Sequence, residues 1–512
     1  MIEIYLIVPT MEKFYLTTAI NYTNGPPHIG HAYEAIVADC LSRYHRISGK
    51  EVFFLTGSDE HGQKIADTAA SLGITPQRLC DRHVAEFQSL NQQLAISNDG
   101  YIRTTSDTHK ELAQLIWTKV ADNDDIYLGN YQGWYSKREE RFLTETEAKE
   151  MNYLDGDKPL IRTSESSYFF RLSKYQQQII DHLNDHPEFI FPPEKRTEIL
   201  ERLKQPLLDL SISRTSFDWG IPIPDRFQGR VDDGRQHVFY VWFDALTNYL
   251  SGIDWPDDHW PADLQLIGKD IIWFHAVIWP AMLLSAGIPL PKRIVCHGFV
   301  NGPDDRKMSK TWGNVVDPIE LLQRYPSDSL RYFVLRECSF GQDFSFSESS
   351  LIARHNNELA ATFGNLVSRV LNLTEKYSQG RIPDAESIPI FDLVALVKQI
   401  DRCFNTQEIE KVLQEVFSKL TLLNKWLTEQ APWSSRQEDR TEEQRQRMIR
   451  TLLEGVYILA HFLEPFIPTA IAELFSRLGR KSTTIPLLSW SNLEAGGAIV
   501  VGESLFPRIR KE

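Results

Sequence analysis

The chain has 512 residues, too many for one ordinary hydrophobic core, so roughly two to four domains are expected. Apolar residues make up 42% and charged residues 24%, the texture of a globular protein rather than a disordered one. The net charge of −14 argues against a general polyanion binder and confines any nucleic-acid contact to a local basic face.

In chain order, Met1–Pro9 holds an apolar run too short to span a bilayer and lacking the basic flank of a targeting signal. No leader is therefore expected, and Met11 is an alternative start. Phe14–Ala19 reads as a buried strand and Ala32–Ile47 as a helix. Val52–Thr56 reads as a second strand, closed by Gly57. This alternation predicts a parallel sheet with crossover helices. From about 118 to 225 the chain turns polar and irregular, as at Asp155-Gly156-Asp157-Lys158-Pro159, which predicts an insertion between two halves of the sheet domain. Leu264–Ile267 and Ile294–His297 resume the sheet pattern around an amphipathic segment, Ile271 to Ser285. Beyond Ser350 long helical periodicities follow, at Leu351–Lys376, Val394–Glu429 and Glu442–Leu463. The five cysteines are scattered, with no CxxC pair or Cys/His knuckle. Neither a disulfide framework nor a structural zinc is indicated, and a reducing compartment fits best.

Four segments fall just after predicted strands: Tyr22 to His31, Gly57 to His61, Gly268 to Asp270, and Gly298. Ligands of open α/β sheets sit at the strands' carboxyl ends, so these segments should converge. The first contains Pro26-Pro27-His28-Ile29-Gly30-His31. Two imidazoles at a helix start, beside free N–H groups and positive dipole character, suit a phosphate chain. A surface HxxH, or a metal cluster with Asp59 and His61, is the competing interpretation. The other motif is Lys307-Met308-Ser309-Lys310-Thr311, with Trp312-Gly313-Asn314 after it. A loop of this kind offers ammonium groups to a leaving pyrophosphate; alone it would equally be a solvated basic turn. No Walker-type loop is present. Together the two motifs suggest activation of a carboxylic acid by adenylation.

These residues resemble the signatures of class I aminoacyl-tRNA synthetases. The chain is similar to the methionyl-tRNA synthetase family in particular, over nearly its full length. The supporting segments are Thr56-Gly57-Ser58-Asp59-Glu60-His61-Gly62, Tyr240-Val241-Trp242-Phe243-Asp244-Ala245, Ile267-Gly268-Lys269-Asp270-Ile271, Phe274-His275, Trp279-Pro280-Ala281 and Ala431-Pro432-Trp433. Two positions depart from the family pattern. Thr311 stands where Ser is usual, and Ser136 and Glu139 stand where a zinc-knuckle CxxC pair would fall, so the resemblance is to zinc-free members.

The resemblance implies an α/β fold: a Rossmann-like catalytic domain in two halves, 11–117 and 226–302, with a connective-peptide insertion at 118–225. A loop and stem-contact region would follow at 303–349, and an α-helical anticodon-binding domain at 350–512. It implies a methionine pocket of Ile20, Tyr22, Trp242, Ala245, Leu246, Tyr249, Ile271, His275 and Trp279, with Asp59 pairing the substrate ammonium. Aromatic and apolar groups suit a polarisable thioether, and Tyr249 and His275 are candidate weak donors to its sulfur. His28, His31, Lys307 and Lys310 would be catalytic. Asn24, Gly30, Gly268, Lys269 and Asp270 would join His28, His31 and Lys310 around ATP, supplied as its Mg²⁺ complex. Asn365, Arg369 and Trp433 would read the CAU anticodon of tRNA(Met), by stacking and hydrogen bonding. A cytoplasmic monomer with no structural metal is expected. The insertion leaves no room for a separate editing domain, so discrimination would rest on the activation pocket. Another class I synthetase, a small-molecule nucleotidylyltransferase and a non-catalytic tRNA-binding paralogue are the alternatives.

Overall fold

The computed structural model describes residues 11–136, 141–143, 145–155, 158–228, 236–308, 313–433 and 441–510. Glu139 and the motif positions Ser309, Lys310, Thr311 and Trp312 lie outside them.

Seven parallel strands form the main sheet. In space the order is Ile190–Phe191, Ile294–His297, Leu264–Gly268, Lys13–Thr18 and Glu51–Asp59, and both Asn21–Tyr22 and Gly100–Arg103 pair with the last of these. Successive side chains of a strand point to opposite faces. Phe14 and Leu16 therefore enter the core under helix Ile29–Ile47, while Tyr15 enters a second core on the other face. The chain leaves Lys13–Thr18 toward Glu51–Asp59 on one side, and leaves Leu264–Gly268 toward Ile294–His297 on the other. The crevice between these two diverging connections is the topological switch point, where α/β sheets bind ligands.

Helix Ile29–Ile47 buries Ile29, Ala32, Tyr33, Ile36, Val37, Cys40, Leu41 and Tyr44, the stripe that helical spacing puts on one face. His45 and Arg46 sit in its last turn, complementing the dipole. Its core does not stop at the sheet. One buried cluster runs from this helix through Ser327–Arg336 into the C-terminal helices. Fully buried Arg331 crosses the same boundary, pairing with Asp39 at 2.6 Å and donating to the carbonyls of Leu94, Pro465 and Phe466.

Four expectations are corrected. The second strand does not close at Gly57 but runs Glu51–Asp59. Gly57 is needed inside it, because a Cβ there would stand 2.2 Å from the Ile102 carbonyl oxygen of the paired strand. The segment 118–225 is not irregular. It holds an antiparallel ribbon, Ile126–Ser136 with Ile161–Phe170, and its strand Ile190–Phe191 returns to the edge of the main sheet, since Phe189 and Ile190 need burial. The segment from Ile271 to Ser285 is not amphipathic; His275–Leu283 is buried at every position. Finally, Val394–Glu429 is two helices, Leu393–Asn405 and Ile409–Gln430. Gln407 takes a left-handed φ of 60° between them, and the Glu408 N–H donates back to the Cys403 carbonyl.

Helix Glu442–Leu463 starts at a reciprocal capping box between Thr441 and Gln444 and packs on Ile409–Gln430 and Asn365–Ser378. Among the described residues no helix is long and apolar enough to cross a membrane.

Candidate active site

His28 is the N-cap of helix Ile29–Ile47 in extended conformation. Its Nδ1 accepts the Gly30 N–H at 3.1 Å, while its own backbone N–H donates to His31 Nδ1 at 3.1 Å. The two rings stack with centroids 3.7 Å apart. An imidazole nitrogen that accepts carries no hydrogen, so both rings carry theirs on Nε2. Burial, and His28 beside it, hold His31 well below the ordinary histidine range. The turn thus presents neutral N–H donors at a helix N-terminus. A Cβ on Gly30 would stand 3.0 Å from the His28 ring, so glycine lets that ring fold back over the turn.

The turn opens on a cleft of about 2010 Å³ at the switch point. Ile20, Tyr22, Asp59, Trp242, Ala245, Leu246, Tyr249, Ile271 and His275 line it, as do His28, Gly30, His31, Gly268, Asp270 and Lys307. Register explains much of this convergence: Tyr22 lies opposite Asp59, and Gly268 opposite His297, at the carboxyl ends of their strands.

On the apolar side Trp242 stacks on Phe274 with centroids 3.7 Å apart. Tyr249 Oη lies 2.6 Å from His275 Nε2, and His275 Nδ1 lies 3.0 Å from the Ile271 carbonyl oxygen. His275 therefore donates from Nδ1 and accepts the Tyr249 hydroxyl on Nε2, and burial lowers its pKa to about 4. Both polar hydrogens are committed, which corrects the expectation that they are available to a thioether. Trp279 does not line the cleft. It is fully buried behind Tyr249, against Trp260.

On the polar side Lys307 Nζ lies 3.8 Å from Asp270 Oδ2 and 4.2 Å from the Phe299 ring centroid. Asn314 Nδ2 donates to Asp304 at 2.8 Å, tying the base of the loop that carries the second motif. Lys269, which is not among the lining residues, meets both carboxylate oxygens of Asp343 at 2.6 Å each. Asn24 is exposed and outside the lining. His61 is not gathered with His28 and His31, being bonded to Asp244.

Three lining residues escaped the sequence reading. Glu34 Oε2 meets His297 Nε2 at 2.8 Å, and His297 Nδ1 donates to the Gly298 carbonyl. Burial opposes charge on His297, but the Glu34 carboxylate outweighs it and raises the imidazole pKa. Burial raises Glu34 as well, although His297 pulls the other way. The available signal was helical spacing, which puts Glu34 one turn beyond Gly30 and His31. Buried Arg214, with its guanidinium 4.5 Å from the Tyr240 ring centroid, also lines the cleft, and its Ser-Arg context carries no local signal.

Far from the cleft, the Arg369 guanidinium lies 5.3 Å from the Trp433 ring centroid. Asn365 is exposed one turn earlier, and Trp433 is 44% exposed just past helix Ile409–Gln430.

The chain matches the family model of class I tRNA synthetases (M) over residues 14–152 and 148–371, and that of the anticodon binding domain of methionyl tRNA ligase over 378–512. It is 41% identical to the methionine–tRNA ligase of Brucella melitensis, covering 97% of this chain and 98% of that protein. The chain belongs to the methionyl-tRNA synthetase family. Its activity is the family's, methionine–tRNA ligation. The Mesorhizobium japonicum relative is 43% identical over the same shares. The solved Mycobacterium tuberculosis methionyl-tRNA synthetase in complex with methionyl-adenylate superposes with a TM-score of 0.89 at 40% identity, covering 97% of this chain and all of that one. As in the family generally, a Rossmann-like catalytic domain is followed by a helical anticodon-binding domain.

Proposed function

We propose that the switch-point cleft carries both half-reactions and that the residues named above divide the work. The observation that carries this reading is the His28–His31 turn, whose two Nε2–H tautomers crown a helix N-terminus beside an apolar pocket. Methionine lies against Ile20, Tyr22, Trp242, Ala245, Leu246, Tyr249, Ile271 and His275, with Trp279 supporting Tyr249 from behind. Asp59 pairs its ammonium. Its carboxylate attacks the α-phosphate of MgATP, giving methionyl-adenylate and pyrophosphate. His28, His31, Lys307 and Lys310 stabilise charge on the phosphates, and Asn24, Gly30, Gly268, Lys269 and Asp270 belong to the adenosine side. Catalysis is positioning plus preorganised donors.

The terminal ribose hydroxyl of tRNA(Met) then takes the methionyl group and AMP leaves. Asn365, Arg369 and Trp433 read the CAU anticodon of the elongator and initiator forms, supported by the cation–π contact between the last two. The working units are 11–117 with 226–302, the insertion 118–225, the loop region 303–349 and the helical part 350–512. No structural zinc is required, because Ser136 is no zinc ligand, and the enzyme works as a cytoplasmic monomer.

ATP–pyrophosphate exchange across a panel of amino acids tests the reading. Exchange is expected with methionine and its close analogues only. Exchange driven by cysteine or leucine overturns it.

A further inference from the structure

Next to the cleft, on the elements that carry its lining, is a buried polar cluster. Asp244 has no solvent exposure, and each carboxylate oxygen takes one imidazole: Oδ2 meets His61 Nδ1 at 2.7 Å and Oδ1 meets His109 Nε2 at 2.7 Å. His109 Nδ1 continues to Ser251 Oγ at 2.8 Å. All four side chains are buried, and Asp244, His61 and His109 are absent from the cleft lining. Burial alone would raise the Asp244 carboxyl, but His61 and His109 outweigh it and hold it below the usual aspartate range.

Such an arrangement is expensive to keep. A buried charge is desolvated, and well-packed apolar side chains would often serve stability as well or better. What the cluster supplies is geometry. A planar carboxylate with charge-assisted bonds on both oxygens is a rigid spacer. With Ser251, the cluster joins four separate elements. His61 stands two residues beyond Asp59, at the end of strand Glu51–Asp59. Asp244 lies on the short helix Val241–Ala245, between Trp242 and Ala245. His109 belongs to the first turn of Asp107–Asp122, and Ser251 closes the helix Asn248–Ser251 that carries Tyr249.

We propose that Asp244, acting through His61 and His109, is a positioning residue that sets the separation between Asp59 and the pocket walls at Trp242, Ala245 and Tyr249. The amino group and the side chain of one amino acid must be gripped at once, so this separation sets how long a side chain fits. The inference rests on the roles given above to Asp59 and the pocket.

The test uses the full chain with Asp244→Asn and, separately, His109→Gln. Asn keeps the shape but cannot accept from two imidazole N–H groups. Exchange kinetics are measured with methionine and ATP varied independently, and with norleucine in place of methionine. For Asp244→Asn the methionine KM rises about tenfold or more, the ATP KM stays within about twofold, and the preference for methionine over norleucine shrinks. A purely structural role would lower kcat with the folded fraction and leave KM alone; that result, or both KM values rising together, overturns the proposal. If Asp244→Asn does not fold, His109→Gln decides, because it leaves the His61–Asp244 bond intact. A raised methionine KM supports the proposal and an unchanged one overturns it. Wild type failing to exchange with methionine would instead defeat the parent reading.

Discussion

His28 and His31 lie ring on ring, centroids 3.7 Å apart, and each uses Nδ1 to accept a backbone N–H of the turn that carries them. One pair of side chains therefore does two things. The Nδ1 atoms replace the Ser–Glu chemistry of an ordinary capping box, and this places the ring hydrogens on Nε2. Burial that keeps His31 neutral also keeps this tautomer in place.

The two tasks separate by substitution. His31→Ala is expected to lower kcat of ATP–pyrophosphate exchange by about 10²–10³, the loss typical of one transition-state donor, with little change in methionine KM. His28→Ala should add destabilisation of about 1 kcal/mol through the lost cap. His28→Asn restores a capping oxygen, but its shorter amide N–H does not stand where Nε2–H did, so its urea midpoint should match wild type while its kcat stays low. An Asn variant with normal exchange would show that His28 serves the helix only.

At the other end of the molecule, Trp433→Ala and Arg369→Ala should reduce tRNA charging and spare methionine activation. A base stack is worth about 1–3 kcal/mol, or roughly five- to 150-fold in kcat/KM for tRNA. The 5.3 Å contact between the two residues predicts a double variant worse than either single one by less than the sum. Aminoacylation of a CAU transcript beside exchange on the same preparations checks this. Loss of exchange would mean the bundle had been damaged instead.

Both motifs, and the convergence of strand ends on one cleft, were legible because residue chemistry and chain order carry them. Tertiary partnerships were not. Ile190–Phe191 joins the main sheet with two residues, too few to show a period. Glu34 and His297 are 263 positions apart, and only the packing of helix Ile29–Ile47 on the sheet brings them together. Lys269 meets Asp343, 74 residues on, a partnership that chain order does not encode. Trp279 and Trp242 read alike as pocket aromatics, yet one lies a layer behind the other, because aromatic spacing along a chain does not encode depth. Gly57 reads as a strand terminator when what demands it is a neighbouring carbonyl.

Acid should weaken the fold through histidines that are buried neutral. Burial lowers His275 and His461 to about 4 and His45 to about 3, from an ordinary value of 6.5. In each case the unfolded chain binds the proton more readily than the folded one. Their contribution is therefore fully present above pH 6.5 and is lost as pH falls from there toward about 4 for His275 and His461, and about 3 for His45. Within that window each group removes about 1.4 kcal/mol per pH unit. Urea midpoints should fall from pH 7 through 6 to 5, most between 6 and 5, and His461→Gln should lessen the fall. A midpoint constant from pH 7 to 5 would contradict the assignment.

Arg331 ties the two halves of the molecule at one buried point. It pairs with Asp39 on the helix that His28 caps, and it donates to Pro465 and Phe466 just beyond helix Glu442–Leu463. Burial alone would raise the Asp39 carboxyl, but Arg331 and Arg43 outweigh it and keep the group ionised. Removing one partner of a buried pair leaves a desolvated charge, so Arg331→Met should destabilise by about 3–5 kcal/mol. Lysine should not rescue it, since a single ammonium cannot reproduce the planar fork that serves Asp39 and three carbonyls together. Adding Asp39→Asn to Arg331→Met should recover part of the loss by removing the stranded charge, even though Arg43 and Ser97 lose their partner. Urea unfolding of the three variants, followed by tryptophan fluorescence, distinguishes these outcomes. If Arg331→Met unfolded like wild type, the contact would be incidental to how the catalytic and helical parts hold together.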